Sequence, residues 1–132
     1  MDQSFGKKEK LKSKLLIDQL FSEGTSVKKY PLRLVYLPKG KATDEKNRIA
    51  VSVPKRSFKK AVDRMKLKRL MREAYRKNKY LVTNKLAASY AIMIIYTGRE
   101  MMDYSTIFQA TEELLKKFVQ QEKGKDNEKD IL

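Results

Sequence analysis

The chemistry open to this chain is limited first by the side chains that it lacks. Its 132 residues include no His and no Cys. Zinc fingers, iron–sulfur clusters, disulfide frameworks, His general bases and Ser–His or Cys–His nucleophile pairs are therefore excluded. The carboxylates show neither the spacing of an EF-hand nor a paired arrangement. We therefore predict that this chain contributes no catalytic residue and no metal site of its own.

Cations are the residue type that the chain has in excess. Lys and Arg number 31 against 16 Asp and Glu, which gives a net charge of +15. Residues 55–79 hold twelve of the cations and only two carboxylates, a net charge of +10 in that segment alone. A folded domain with such an excess repels itself, and a bound polyanion relieves the repulsion. The charge predicts nucleic-acid binding, with an anionic membrane surface as the alternative.

The basic segment also has the spacing of an amphipathic helix. At about 100° per residue, cations four positions apart share one face and apolar residues share another. The row of cations consists of Arg64, Lys68, Arg72 and Arg76, and the apolar residues are Leu67, Leu70, Met71 and Ala74. An ordinary solvated helix face mixes Glu with Lys, whereas Glu73 is the only acid in residues 64–79. We therefore interpret the row as a phosphate-binding surface, for which the planar Arg fork is well suited.

The elements that must position this helix follow from apolar periodicity. The pattern predicts a first helix from residue 11 that ends at Gly24. Two strands, 32–37 and 48–53, are joined by a polar loop and are expected to form a hairpin. A long helix over 57–79, an apolar strand over 89–97 and a last helix capped by Ser105 complete the chain.

This order, αββαβα, predicts the α+β class. The expected architecture is a two-layer sandwich in which helices pack on a small mixed sheet. We predict one RNA-binding domain over residues 11–120, a flexible segment over 1–10 and a disordered tail over 121–132. No apolar leader is visible, and no stretch reaches the about 20 apolar residues that span a bilayer. We therefore expect a cytoplasmic protein without a membrane partner.

Three segments carry a family resemblance. They read SVPKR at 52–56, AVDR at 61–64 and KRLMREAYR at 68–76. Together they resemble the signature of the bacterial ribonuclease P protein family, and the similar layout extends over residues 10–118. The Arg-Asn-Arg core of that family stands here as Arg64-Met65-Lys66. The change from Asn to Met removes an amide donor and acceptor.

The resemblance implies a division of labour between a protein and an RNA. In that family an RNA subunit is the catalyst, and it removes the 5′ leader of precursor tRNA by endonucleolytic hydrolysis with Mg²⁺. The Mg²⁺ would be bound mainly through the RNA. The protein would bind the catalytic RNA and the precursor tRNA as a monomer in a one-to-one ribonucleoprotein. The resemblance also implies a left-handed βαβ crossover, against the usual right-handed rule.

Two groups of residues are carried over from the family by position. The RNA-binding group is Lys55, Arg56, Arg64, Lys66, Lys68, Arg69, Arg72 and Arg76. The leader-cleft group, between the sheet and the first helix, is Phe21, Tyr36, Ser52 and Lys55. Aromatic rings stack unpaired bases, and cations follow the phosphates of a single strand. A role in the core is the alternative for Phe21 and for Tyr36.

Two other classes of function share the basic helix. One is a structural RNA-binding protein, such as a ribosomal protein of related fold. The other is a basic amphipathic helix that lies on a membrane or binds a protein partner. A leader cleft would distinguish the ribonuclease P hypothesis from these two classes. That hypothesis requires exposed aromatic rings and cations on the sheet around Tyr36, Ser52 and Lys55.

Overall fold

The computed structural model describes residues 14–41, 47–82 and 88–131. The helices in these residues are α1 (Lys14–Glu23), α2 (Ala61–Asn78) and α3 (Tyr104–Ile131), with a short 3₁₀ turn at Lys79–Leu81. The strands are β1 (Thr25–Lys29), β2 (Leu32–Lys41), β3 (Arg48–Ser52) and β4 (Ala88–Tyr96). The segment 1–10, predicted to be flexible, lies outside the described residues. The predicted α+β class is confirmed, with one strand more than expected.

Within the described residues the four strands form one mixed sheet in the order β1-β2-β4-β3. β2 pairs antiparallel with β1 and with β4, and β3 pairs parallel with β4. The predicted hairpin between β2 and β3 is therefore wrong, because β4 lies between them. β4 is apolar on both faces, and such a strand is stabilised at the centre of a sheet with neighbours on both sides.

The strand that sequence analysis missed is β1. Its sequence, TSVKK, has only one apolar residue and gives no alternating signal. It is an edge strand, and its hairpin partner is β2, with Lys29 opposite Leu32. The parallel strands β3 and β4 are joined through α2, which forms the βαβ unit of the fold. The handedness of this crossover stays a prediction.

Alternation along the strands divides the sheet into two faces. The face that we call the α2/α3 face packs against the two long helices. Its large cluster joins side chains of the sheet such as Leu34, Ile49 and Ile92 to Leu67 of α2 and Leu114 of α3. The opposite face, which we call the α1 face, is covered in part by α1. There Leu20 packs in a smaller cluster whose other buried members are Val35, Ala91 and Met93.

Both ends of α3 differ from the sequence prediction. The helix is capped by Asp103, whose Oδ1 accepts a hydrogen bond from the backbone N–H of Thr106 at 2.9 Å. Ser105 therefore lies within the first turn and is not the N-cap. At the other end, Glu122 is buried and its Oε2 accepts a hydrogen bond from the hydroxyl of Tyr90 at 3.0 Å. The prediction of a disordered tail from residue 121 is therefore wrong at its start.

No helix in the described residues combines the length and the apolar character that crossing a membrane requires. α2 is long enough, but its many cations make its mean hydropathy low. Its apolar side chains are moreover used in the core under the α2/α3 face.

Candidate nucleic-acid interface

The helix α2 presents most of the predicted RNA-binding residues. It runs for 18 residues without Gly or Pro, and its basic last turn suits the negative end of the helix dipole. Five of its side chains are buried, and these are Leu67, Met71, Ala74, Tyr75 and Asn78. The helix is therefore anchored along one stripe, which leaves the rest of its circumference open.

The exposed part of α2 is rotated slightly from the predicted row. Lys66, Arg69 and Arg72 are exposed, whereas Arg64, Lys68 and Arg76 are only half-exposed. Tyr75 extends the buried stripe toward Arg64 and Lys68, whereas Arg76 is partly covered by its ion pair with Glu73. We call Lys66, Arg69 and Arg72 the α2 basic face. These three residues make no ion pair with any residue that the structure describes.

Arg76 differs from the α2 basic face because it has a carboxylate partner. Its Nε donates to Oε2 of Glu73 at 3.1 Å, and its Nη2 donates to Oε1 of the same carboxylate at 2.5 Å. These bonds lower the pKa of Glu73 and raise the pKa of Arg76. Lys77 also lies 3.8 Å from Oε1 of Glu73. A phosphate that binds Arg76 must therefore compete with Glu73.

Arg64 is engaged with the backbone that precedes α2. Its Nη1 donates to the carbonyl of Phe58 at 2.8 Å and to that of Lys59 at 3.0 Å. Lys60, at the N-cap position, provides no side-chain cap. Arg64 therefore holds the chain at the start of α2. The sequence had predicted only a phosphate contact for this residue. Met65, which replaces the Asn of the family pattern, is exposed.

Lys55 and Arg56 connect the sheet to α2. Both are exposed in the turn after β3, where the backbone N–H groups of Ser57 and Phe58 donate to the carbonyl of Pro54 at 3.3 Å. Ser52, at the end of β3, is half-buried and lies opposite Ile95 of β4 on the α1 face. The turn thus places two cations between the α1 face and the α2 basic face.

The predicted leader cleft loses one of its residues. Tyr36 is 1% exposed and lies on the α2/α3 face, where its ring centroid is 4.5 Å from that of Phe118 and 5.9 Å from that of Tyr90. Burial raises the pKa of the Tyr36 hydroxyl. The assignment of Tyr36 to the cleft is therefore wrong, since β2 turns Val35 and not Tyr36 toward α1.

Of the other cleft residues, Phe21 and Lys55 are exposed and Ser52 is half-buried. Phe21 lies on α1 and is 61% exposed, so its ring is not part of the core. Ser52 faces the same side of the sheet as α1, and Lys55 follows it at the edge. The structure thus places Phe21, Ser52 and Lys55 on the α1 side of the molecule, with Tyr36 on the opposite side.

Sequence analysis missed a cluster of arginines on the α1 side. Arg33, Arg56 and Arg99 line one cavity of about 650 Å³, together with Ser57, Ile95 and Thr97. Only Arg56 had been assigned to RNA binding. Arg33 and Arg99 are isolated in the sequence and belong to no motif, so no local signal could have found them. The pairing of β2 and of β3 with β4 brings the three arginines to the same edge of the sheet.

Comparison with known families accounts for this combination of a basic helix and a mixed sheet. A family model described as "Ribonuclease P" matches residues 5–119. The chain belongs to the ribonuclease P protein family. The predicted family resemblance is therefore confirmed, and it covers α1 through most of α3.

Individual relatives agree with the family model. A ribonuclease P protein component of Porphyromonas gingivalis is 36% identical over 114 residues, which cover 83% of this chain and 82% of the relative. The structure of the ribonuclease P protein of Staphylococcus aureus has a TM-score of 0.66 at 22% identity and covers 83% of this chain and 94% of that one. The protein from Thermotoga maritima also gives 0.66, at 24% identity, with coverage of 83% and 96%. These structures show that the fold is shared.

Proposed function

We propose that this ribonuclease P protein binds the catalytic RNA subunit and the 5′ leader of precursor tRNA, and so promotes Mg²⁺-dependent removal of the leader. The observation that carries the proposal is the α2 basic face, whose three cations have no ionic partner among the described residues. Like charges so close together destabilise a free helix, and phosphates of a bound RNA would relieve the repulsion.

The α2 basic face is suited to a phosphate backbone rather than to base edges. Two of its three residues are Arg, whose fork donates two parallel hydrogen bonds to one phosphate. Such contacts position an RNA without reading its sequence. We infer that α2 binds the folded catalytic RNA and that Lys55 and Arg56 continue the same contact toward the sheet.

The leader is proposed to lie on the α1 side, at Phe21, Ser52 and Lys55. The exposed ring of Phe21 offers a platform on which an unpaired base can stack whatever its identity. Lys55 supplies a cation for the phosphate of the same strand. Neither contact depends on the sequence of the leader, which suits a protein that acts on many precursor tRNAs.

Mg²⁺ fits the RNA of this complex better than the protein. The residues proposed to meet the RNA are cations, which repel a divalent ion, whereas RNA phosphates offer the oxygen ligands that Mg²⁺ prefers. The ion supplies an activated water for hydrolysis of the phosphodiester. This chain's part is to bind and orient the two RNAs, as a monomer in a one-to-one complex. The absence of Cys suits the cytoplasm, where we place the complex.

The proposal is tested by reconstitution with the cognate RNA subunit at low Mg²⁺, where screening by the ion is weakest. We expect the protein to increase the rate of 5′-leader release. Arg72→Ala should reduce that increase and lower the log–log salt slope of RNA binding by about 1. Lys123→Gln, which removes an exposed cation from α3, is the matched control. A wild-type protein that gives no stimulation would contradict the proposal and favour a structural RNA-binding role.

A further inference from the structure

The exposed surface of α2 begins with two apolar side chains. Val62 is 75% exposed and Met65 is 62% exposed, and neither belongs to a core cluster. Because they are three positions apart on one helix, the two side chains are neighbours. Single exposed apolar residues are common on protein surfaces, so their meaning depends on what surrounds them. We call Val62 and Met65 the α2 apolar patch.

The α2 apolar patch adjoins the α2 basic face. Each of its two side chains stands one helical turn before a cation of that face. These cations are Lys66 and Arg69, and both are exposed. Residues 59–72 carry seven cations and one carboxylate, Asp63, which is half-buried in the first turn, where the helix dipole favours it. The patch is thus an apolar spot on a strongly positive surface.

The small size of the α2 apolar patch limits what can cover it. Each partner of a stable protein interface buries about 800 Å², far more than two side chains provide. A membrane-bound helix needs a continuous apolar face, whereas the next apolar residues of α2, Leu67, Leu70 and Met71, pack in the core. An unpaired RNA base has a flat face of small area and phosphates on either side. The patch and its neighbouring cations match both parts of such a nucleotide.

Met65 occupies the position that the family pattern gives to Asn. An Asn side chain donates and accepts hydrogen bonds and can read the edge of a base, whereas Met has no donor and only a weak acceptor. Its flexible, polarisable thioether instead packs well against aromatic rings. RNA bases are aromatic rings, so the change from Asn to Met favours contact with the face of a base over contact with its edge. Val62, three residues earlier, extends the same apolar contact.

We propose that the α2 apolar patch packs against the face of an unpaired base of the RNA, while Lys66 and Arg69 bind the phosphates beside it. The identification of that RNA as the catalytic subunit rests on the proposed function. One helical turn is about 5.4 Å, so the base and one of the phosphates can belong to the same nucleotide. The contact requires an RNA that presents an unpaired base at this point, and Met65 therefore contributes to the choice of RNA subunit.

Salt dependence separates this contact from the cationic ones. The test variant is Val62→Thr/Met65→Gln, which nearly retains the size of both side chains but makes them polar. We expect it to bind the cognate RNA subunit about tenfold more weakly than the wild-type chain, since burial of apolar surface is lost. The log–log salt slope should stay unchanged because no cation is removed, in contrast to Arg72→Ala. Met65→Leu stays apolar, so as the matched control it should retain the wild-type affinity.

A second measurement follows oxidation of the methionines. Dilute peroxide converts an accessible Met to its sulfoxide, which mass spectrometry locates in the chain. Met65 and Met101 are both exposed, and Met101, which lies outside α2, serves as the internal reference. We expect the RNA subunit to slow the oxidation of Met65 more strongly than that of Met101. Circular dichroism of the substituted chains would verify the fold, which Thr and Gln should preserve because their helix propensities are close to those of Val and Met.

Three results would overturn the proposal. Wild-type affinity in the Val62→Thr/Met65→Gln chain would place the α2 apolar patch outside the interface. Protection of Met65 no greater than that of Met101 would show that no base covers it. Altered sedimentation of the free variant would make the patch a contact between copies of this chain. Both measurements follow binding and not leader release, so a failure of the patch is distinguished from a protein that does not stimulate cleavage.

Discussion

At the scale of single residues, cations that look equivalent in the sequence have different surroundings. Arg72 is exposed and without an ionic partner among the described residues, whereas Arg76 is held by Glu73 through two hydrogen bonds. Such a half-exposed ion pair contributes little to stability because solvent screens it. In the proposed complex, its main effect would be to withhold one cation from the RNA.

Glu73→Gln should therefore strengthen RNA binding. The substitution releases Arg76 and removes a negative charge beside the α2 basic face, so the affinity for the RNA subunit should rise and the log–log salt slope should become steeper by up to about 1. Salt-dependent binding measurements would check this. Glu112→Gln, which breaks the Lys116–Glu112 pair on α3, is the control. Unchanged affinity for Glu73→Gln would show that Arg76 lies outside the interface.

We expect substitutions of Tyr36 to change the stability of the fold and not to affect binding of the leader directly. Its ring packs against those of Tyr90 and Phe118, and truncation of a large buried side chain typically costs about 3–5 kcal/mol. Tyr36→Ala should therefore lower the free energy of unfolding by several kcal/mol, while Tyr36→Phe retains the ring and most of the stability. Urea unfolding measures both. If Tyr36→Phe selectively weakened precursor tRNA while stability was unchanged, the core assignment would be contradicted.

At the scale of elements, the start of α2 depends on a side chain from within the helix. Arg64 donates to two carbonyls of the preceding segment, and the N-cap position provides no bond of its own. This arrangement orients the turn that carries Lys59 and Lys60, and it precedes the α2 basic face. The first cation of the family motif is thus also a support for the helix that presents the others.

Arg64→Ala should loosen the first turn of α2. We expect faster amide hydrogen exchange at residue 64, whose N–H donates to the carbonyl of Lys60 at 3.3 Å, and a loss of about 1 kcal/mol in unfolding free energy. Arg69→Ala removes a similar charge from the exposed face and should leave this exchange unchanged. Equal exchange in the two variants would mean that Arg64 does not hold the segment.

At the scale of the whole molecule, the two faces of the sheet have separate tasks. The α2/α3 face encloses the large core, in which the rings of Tyr36, Tyr90, Tyr96 and Phe118 are buried. The α1 face is covered only in part and carries Phe21, Ser52 and the cavity lined by arginines along its edge. One sheet therefore supports the stability of the domain on one side and its proposed contact with single-stranded RNA on the other.

The buried tyrosines predict a loss of stability in alkali. Burial, chiefly, raises the pKa of Tyr96 to about 12, and its hydroxyl donates to the carbonyl of Glu100. The unfolded chain releases this proton near the ordinary Tyr value of about 10, so the folded state binds more protons between these values. The contribution of Tyr96 is thus complete below pH 10 and is lost as the pH rises through 12.

The comparison with Tyr96→Phe tests this linkage. The free energy of unfolding should fall less steeply between pH 10 and 12 in the variant than in the wild-type protein, because Phe has no proton to release. A titration monitored by the near-ultraviolet absorbance of tyrosinate should show, in the wild-type protein, a tyrosine that ionises at higher pH than an ordinary tyrosine. Identical pH dependence of the two proteins would contradict the assignment to Tyr96.

Local patterns were sufficient for several parts of this molecule. Apolar residues at helical spacing predicted α2 and α3, and continuous or alternating apolar runs predicted β2, β3 and β4, since these signals depend only on neighbouring residues. The concentration of charge between residues 55 and 79 predicted the basic helix, and its motif led to the family. The weakly apolar β1 escaped prediction because it is stabilised by pairing with β2. The cap at Asp103 escaped because Ser105, two residues further on, is an equally favoured type of N-cap residue.

The sequence by itself determined the elements, the cationic helix and the family, because each is encoded in short-range periodicity, composition or motif. Only the tertiary structure decided which side of the sheet each strand residue faces. A shift of one residue exchanges the faces of a strand, and that register depends on long-range pairing. This register buries Tyr36 against Phe118 and turns Ser52 toward the α1 face. It also brings Arg33, Arg56 and Arg99 from three distant segments to one cavity.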